Sequence, residues 1–270
     1  MYEEFYGFET PPFNITPDPR FLFFSRRHRE AYDHLYYGIT ERKGFVQLTG
    51  DVGAGKTTLC RHLFEQLGDG YETALVLNPV MTSIQLLRTI LRELGLSARG
   101  NDRVRLLERL NTFLLEQVAA ARDVVLVIDE AQDLTGELLE QVRLLSNLET
   151  DQRKLLQIVL MGQPELRAML DRHDLRQLRQ RITVRYHLGP LTRHETEYYI
   201  RHRLQIAGSN GRPTFTPWAV RAVHRYAGGV PRLINAVCDK TLLAGYVHGV
   251  DLLRWKHVRR AIRELEGLGG

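Results

Sequence analysis

"LTGDVGAGKTTLC", Leu48 to Cys60, decides how the rest of this 270-residue sequence is read. Within it, Gly50-Asp51-Val52-Gly53-Ala54-Gly55-Lys56-Thr57 fits the pattern G-x-x-x-x-G-K-[ST]. The β-type run "FVQLT" at 45–49 precedes it, and the amphipathic run "KTTLCRHLFEQL" begins inside it. Strand before and helix after is the setting this pattern requires. The glycines let the backbone turn so that successive N–H groups face phosphates at a helix N-terminus. On this reading the nucleotide-binding segment runs from Gly50 through Lys56, Thr57 and Thr58. Lys56 bridges the β- and γ-phosphates of ATP, and the Thr57 hydroxyl ligates Mg²⁺. Cys60, on the same helix, reads as a core residue rather than a reactive thiol.

Outward from this loop, short apolar runs rich in β-branched residues recur at 45–49, 74–77, 124–128, 156–161 and 182–187. Amphipathic stretches lie between them, with Leu107, Leu110, Leu114 and Val118 at helical spacing. Continuous apolar strands separated by helices predict an α/β fold with a parallel five-stranded sheet covered on both faces. Residues 1–24 ("PPFNITPDPRFLFF" within them) read as an extended arm that docks on something rather than as a helix. A helix is expected over 25–37, opened by Ser25. After Leu188 the β-type runs stop. "GPL" at 189–191 reads as a hinge, followed by helices over 192–207, 216–227, 231–246 and 253–265, and "GLGG" reads as a flexible end. The expected layout is an arm and helix at 1–44, an αβα core at 45–189 and a helical lid at 190–270.

"DVVLVIDEAQDL" carries the second chemical element. Its apolar strand ends in Asp129-Glu130, so both carboxylates emerge at the C-terminal edge of a buried strand, where open α/β sheets hold their ligands. Asp129 is expected to hold Mg²⁺ through water, and Glu130 to polarise the attacking water as a general base. Gln163 follows the next strand at the same edge. It could contact the γ-phosphate or the attacking water, or it could tie down its own loop before Pro164. In "GGVPRLIN", Pro231 starts a helix and places Arg232 in its first turn, where a cation opposes the helix dipole by roughly 0.3–1 kcal/mol. A bound polyphosphate reverses that sign, and Arg232 is expected to couple the lid to the γ-phosphate; it could instead be a surface arginine paired with a nearby acid. In "DRHDLRQLRQRITVR", Arg172, Arg176 and Arg179 share one helical stripe, and Arg181 stands off it at the entrance to the next strand. The stripe could be a solvated face, a nucleic-acid contact or an arginine finger offered to a neighbouring subunit's ATP. Arg181 is the preferred finger, with Arg176 and Arg179 as alternatives.

Composition bounds the partners. Net charge is +5 and the pI about 9.3, which permits an anionic partner such as nucleic acid or an acidic membrane surface. Cys60 and Cys238 make neither a disulfide framework nor a metal pattern, which fits a reducing cytoplasm. "MYEEFYGFET" lacks an apolar signal region, and no run approaches the ~20 apolar residues of a spanning helix. Direct membrane insertion is not expected; any inner-membrane contact would be peripheral, through a partner.

These elements in this order resemble an AAA+ ATPase. "MYEEFYGFETPPFNITPDPRFLF", "HREAYDHLYYGI", "IDEAQDL", "LLSNLETDQRKLLQIVLMGQPEL", "LRQRITVRYHLGPLTRHET" and "GGVPRLIN" narrow the resemblance to the general secretion pathway protein A (ExeA) type. MSHA pilus biogenesis protein M and the ATPases encoded beside exosortase loci are similar. The resemblance implies a P-loop αβα core with a helical lid. It also implies ATP and Mg²⁺ as ligands, ATPase activity, and a ring or other homo-oligomer with shared active sites. The implied role lies in assembling a bacterial secretion, pilus or exopolysaccharide machine. It further implies that the arm around 11–13 and the helix from Arg27 help enclose the adenine. Gln163 stands where many AAA+ proteins carry Asn or Thr. The family continues into a transmembrane helix and a peptidoglycan-binding part, whereas this sequence ends at Gly270, as a short member or a piece of a longer one. A rival resemblance is to transposon target-selection ATPases of the TniB or TnsC type, which coat DNA.

Overall fold

The computed structural model describes residues 1–16, 18–150 and 153–267. In chain order the helices are α1 (Tyr2–Tyr6), α2 (Arg26–Thr40), α3 (Lys56–Leu67), α4 (Ser83–Glu93), α5 (Arg103–Ala119), α6 (Gly136–Leu145), α7 (Pro164–Leu170), α8 (Arg176–Arg181), α9 (Arg193–Ile206), α10 (Pro217–Ala227), α11 (Pro231–Val247) and α12 (Trp255–Leu265). The strands are β1 (Phe45–Gly50), β2 (Tyr71–Val76), β3 (Asp123–Ile128), β4 (Leu156–Gly162), β5 (Ile182–Leu188), β6 (Thr214–Phe215) and β7 (Leu252–Leu253). Two compact units result. One comprises Arg29–Gly50 and Cys60–Leu188; the other comprises Met1–His28, Asp51–Leu59 and Gly189–Gly270.

The first unit is built on a parallel five-stranded sheet in the order β2-β3-β4-β1-β5. Every residue of β1 and β4 is buried, and so is β3 after Asp123. Burial on both faces explains why these strands read as unbroken apolar runs. One face packs Val124, Leu126, Ile158 and Leu160 with Ile90, Leu110, Leu114 and Val142 of the covering helices. On the opposite face Gly38 lets α2 approach β1 closely, since a Cβ there would stand 2.4 Å from Val46 Cγ2. Each fully buried Leu, Ile or Val contributes roughly 1.5–3 kcal/mol of transfer free energy. Register matters more for function. Thr49 pairs with Gly162, and Ile128 with Leu160, so β1, β3 and β4 all end at one edge.

The second unit has its own core, in which Ile200, Leu204, Val223, Ile234, Val237, Leu242 and Val258 pack with Tyr2, Tyr6, Phe13 and Phe21 of the arm. Helix starts here follow local chemistry. Thr192 and Glu195 form a capping box, Thr216 caps α10, and Pro217 and Pro231 take positions that need no N–H donor. The arm is not wholly extended: Tyr2–Tyr6 is helical and stopped by Gly7 at φ 75°. Tyr2 and Tyr6 stand four residues apart and bury on the same side, where the Tyr2 hydroxyl meets Asp239 and that of Tyr6 meets the Val250 carbonyl. Further along, buried Arg203 donates from Nε to the Pro12 carbonyl and from Nη2 to that of Asn14, which holds 12–14 in place. Strand structure also does not end at Leu188. β6 and β7 pair in parallel through Thr214–Leu252 and Phe215–Leu253, too short for any periodicity to show. The expected flexible end lies outside the described residues from 268 onward. Among the described residues no helix is long and apolar enough to cross a membrane.

Candidate functional site

The loop leaving Gly50 and the start of α3 belong to the second unit from Asp51 to Leu59. Gly53 and Gly55 sit at φ 77° and 102°, in the left-handed region that side chains with a Cβ avoid. The Ala54 N–H closes the turn onto the Asp51 carbonyl at 3.1 Å. Lys56 is the first residue of α3 and only 5% exposed, and its Nζ donates to the Asp51 carbonyl at 3.1 Å. The side chain therefore folds back over the loop instead of extending into solvent. The first N–H groups of any helix lack partners within it, so the Lys56, Thr57 and Thr58 end of α3 is a positive terminus beside a glycine-cornered turn. Arg232 adjoins the same turn. Its N–H donates to the Gly53 carbonyl at 3.2 Å, and its Cβ, Cγ and Cδ pack over Gly53 so closely that a Cβ there would stand 2.3 Å from Arg232 Cβ.

The carboxylates belong to the first unit. Asp129, 3% exposed, follows β3 and donates its N–H to the Val76 carbonyl, while its Oδ1 accepts from Glu130 N at 2.9 Å. Glu130 lies at φ 51°, a conformation costing a non-glycine residue about 1–2 kcal/mol. Two amides converge on its Oε2: Gln132 Nε2 at 2.8 Å and Gln163 Nε2 at 3.2 Å. Gln132 Oε1 in turn accepts from Gln163 N at 2.9 Å. Gly162, the last residue of β4, leaves room for this, because a Cβ there would meet Gln132 Oε1 at 2.6 Å. Gln163 thus binds Glu130, and its loop is tied by Gln132, two residues after Glu130 in "DEAQD" and without a signal of its own in the sequence. Buried Cys60 has its thiol pushed up by burial and further by the Asp129 carboxylate, as suits a core residue.

Arg181 ends α8. From Nη1 it donates to Ser146 Oγ and Asn147 Oδ1, both at 2.6 Å, at the C-terminal end of α6, where a cation suits the helix dipole. Arg179 pairs with Asp171 at 3.2 Å, and Arg176 is exposed. The three-residue stripe does not form. Buried Leu175 interrupts the helix at φ −103°, and Arg172 caps a separate 3-10 turn where it pairs with Asp174. Of the expected stripe, Arg176 and Arg179 lie on α8 and Arg172 does not.

A glycine-cornered loop with a buried lysine after β1 of a 2-3-4-1-5 parallel sheet, and an acidic pair after β3, define a P-loop protein of the AAA+ class. Residues 39–170 match the AAA domain family. Over 269 residues the chain is 47% identical to General secretion pathway protein A of Aeromonas hydrophila, a match covering 99% of this chain and 49% of that protein. The chain thus carries an AAA domain and is similar to General secretion pathway protein A, of which it spans about half the length. Among solved structures, the Aeropyrum pernix ORC2 protein in its ADPNP-ADP complexes has a TM-score of 0.74 at 18% identity, covering 96% of this chain and 72% of that one. The Thermotoga maritima RuvB Holliday junction branch migration motor has a TM-score of 0.60 at 17% identity, covering 92% and 72%. At these identities the likeness is one of fold.

Proposed function

We propose that this chain binds ATP with Mg²⁺ and hydrolyses it, acting as a ring or other homo-oligomer in assembling a bacterial envelope machine of the secretion, pilus or exopolysaccharide kind. The observation that carries the reading is the Asp51–Lys56 turn, with its left-handed glycines and its buried lysine held over the loop at the start of α3. The family relationship supplies the envelope context.

In this mechanism the loop N–H groups and Lys56 bind the phosphates. Thr57 and Asp129 are the residues that would hold Mg²⁺, a hydroxyl and a carboxylate being donor types this ion takes when it keeps waters and phosphate oxygens as its other ligands. When bound, Mg²⁺ neutralises charge on the phosphates and lowers the cost of nucleophilic approach. Glu130 accepts the proton of the attacking water through Oε1, because Oε2 is held by Gln132 and Gln163. The two glutamines orient the base, so Gln163 acts on the reaction through Glu130. Arg232, anchored by its own N–H to Gly53, reports the state of the loop to the helical unit. Arg181 completes the site of a neighbouring copy, and to do so it exchanges its contacts with Ser146 and Asn147 for the neighbour's phosphate.

The deciding experiment is steady-state ATP hydrolysis against protein concentration, with and without duplex DNA at one fixed salt level, since phosphate contacts weaken steeply with salt. The expected result is a rate per subunit that climbs with concentration and ignores DNA. Strong stimulation by DNA would overturn the envelope reading in favour of a DNA-coating, target-selection ATPase.

A further inference from the structure

His28 takes part in none of the roles above, yet it is 4% exposed and aimed at the phosphate loop. Its Nε2 lies 3.1 Å from the Ala54 carbonyl, and its Nδ1 lies 2.7 Å from Ser25 Oγ. A carbonyl only accepts, so Nε2 carries the proton. Nδ1 is then an acceptor, and the buried Ser25 hydroxyl donates to it. Ser25 is held in its turn, accepting from His28 N at 3.2 Å. Burial pushes His28 below the ordinary histidine range against the Ala54 bond and Glu195, which leaves the ring neutral and in one tautomer. The ring also lies flush on the next residue: a Cβ on Gly55 would come within 3.1 Å of Nε2.

Peptide planarity turns this contact into a constraint on the loop. The Ala54 carbonyl and the Gly55 N–H share one trans peptide plane and point in opposite directions. A donor that holds the carbonyl therefore aims the Gly55 N–H away from the His28 ring. The preceding carbonyl, Gly53, is held by the Arg232 N–H. With the acceptors of both peptides engaged by fixed donors, neither carbonyl can rotate in to oppose an anion. A glycine at φ 102° has little intrinsic preference to stop such a rotation.

We propose that His28 is a positioning residue for nucleotide binding: as a neutral Nε2–H donor it locks the Ala54–Gly55 peptide so that the Gly55 N–H faces the phosphates. The inference rests on the nucleotide-binding reading above.

The test is ADP titration, with Mg²⁺, of the whole chain and four variants: His28→Leu, His28→Gln, Ser25→Ala and Lys56→Ala. The expected result is a Kd about tenfold weaker for His28→Leu and a smaller loss for Ser25→Ala, which frees the ring but keeps the donor. His28→Gln, whose amide N–H can take the place of Nε2–H, should recover most of the affinity. Equal affinity of folded His28→Leu and the parent would overturn the proposal, as would a His28→Gln no better than His28→Leu. Lys56→Ala separates the two levels: if that variant also binds like the parent, the nucleotide reading itself fails. Should His28→Leu not fold, ¹⁵N chemical shifts of the His28 ring in the parent decide. An Nδ1–H tautomer or a charged ring near neutral pH would overturn the proposal.

Discussion

Gly53→Ala puts the geometry of the loop to a quantitative test. Two costs add. At φ 77° any residue with a Cβ sits in the left-handed region, at about 1–2 kcal/mol. The new Cβ would also stand 2.3 Å from Arg232 Cβ and 3.0 Å from its Cδ. Arg232 Cβ is rooted in the backbone of α11, so no rotamer change relieves the overlap. The loop and the helix start must part, at roughly 1–3 kcal/mol for overpacking, and the 3.2 Å bond from Arg232 N to the Gly53 carbonyl is strained as they do. Gly7→Ala is the control: it has a similar φ of 75° and nothing within 4 Å of the new Cβ, so it bears the backbone strain alone. For a chain of this size each kcal/mol moves Tm by about 2–4 °C. Gly53→Ala should therefore melt several degrees below Gly7→Ala. Thermal melts with and without ADP and Mg²⁺ give a second reading, because ligand raises Tm only in proportion to binding. Gly7→Ala should keep the ligand-induced rise and Gly53→Ala should lose it. Equal melting losses with equal ligand shifts would show that Arg232 does not seat on Gly53, and the proposed coupling of α11 to the loop would fall with it.

Glu130→Gln should bind ATP with near-parental affinity and lose about 10²–10⁴ in turnover, the range a general base supplies; undiminished single-turnover hydrolysis would remove the assignment. Arg181→Ala should depress hydrolysis most at high protein concentration, where copies meet, and full activity there would move the finger to Arg176 or Arg179. Acid should destabilise the fold early. Burial lowers His28, His202, His224 and His257 below the unfolded value of about 6.5, so the unfolded chain binds more protons. Their contribution is fully present above that value and is lost as pH falls towards the depressed folded values. Asp18 and Glu140, lowered by bonds from Arg20 and Arg143, lose theirs in a lower window. Tm should thus drop between about pH 7.5 and about pH 5.5, and a flat or rising profile in a buffer series would contradict the buried-neutral state of these rings.

How far the sequence could be read depended on whether a feature is local. The central strands were legible because burial on both faces demands unbroken apolar runs. β2 was placed less well, at 74–77 against Tyr71–Val76, because it lies at the sheet's edge and its first three residues are only half-buried, so Glu72 and Thr73 break the pattern. The glycine loop and the acidic pair were legible for the same local reason: each is one contiguous stretch whose spacing the chemistry dictates. Helix α1 runs against the extended reading of the arm because Tyr2 and Tyr6 are held by α11, more than two hundred residues away.

The same distinction separates the groups that would contact phosphate from those that hold them in place. Lys56 and Glu130 announce themselves by type and position. His28, Gln132 and Gln163 are polar residues whose roles exist only once distant segments meet: Ala54 with His28, Gln163 with Glu130. A phosphate loop needs glycine to reach its shape, and that same freedom leaves its peptides able to turn over. The shape must then be held from outside the motif. The donors to the Gly53 and Ala54 carbonyls are Arg232 and His28, one supplied by the start of α11 and the other by the start of α2. Whatever moves either helix start must act on the peptides of the loop. On the proposed nucleotide reading, that would let the loop pass free energy between nucleotide and the helical unit without any contact between Arg232's guanidinium and the nucleotide.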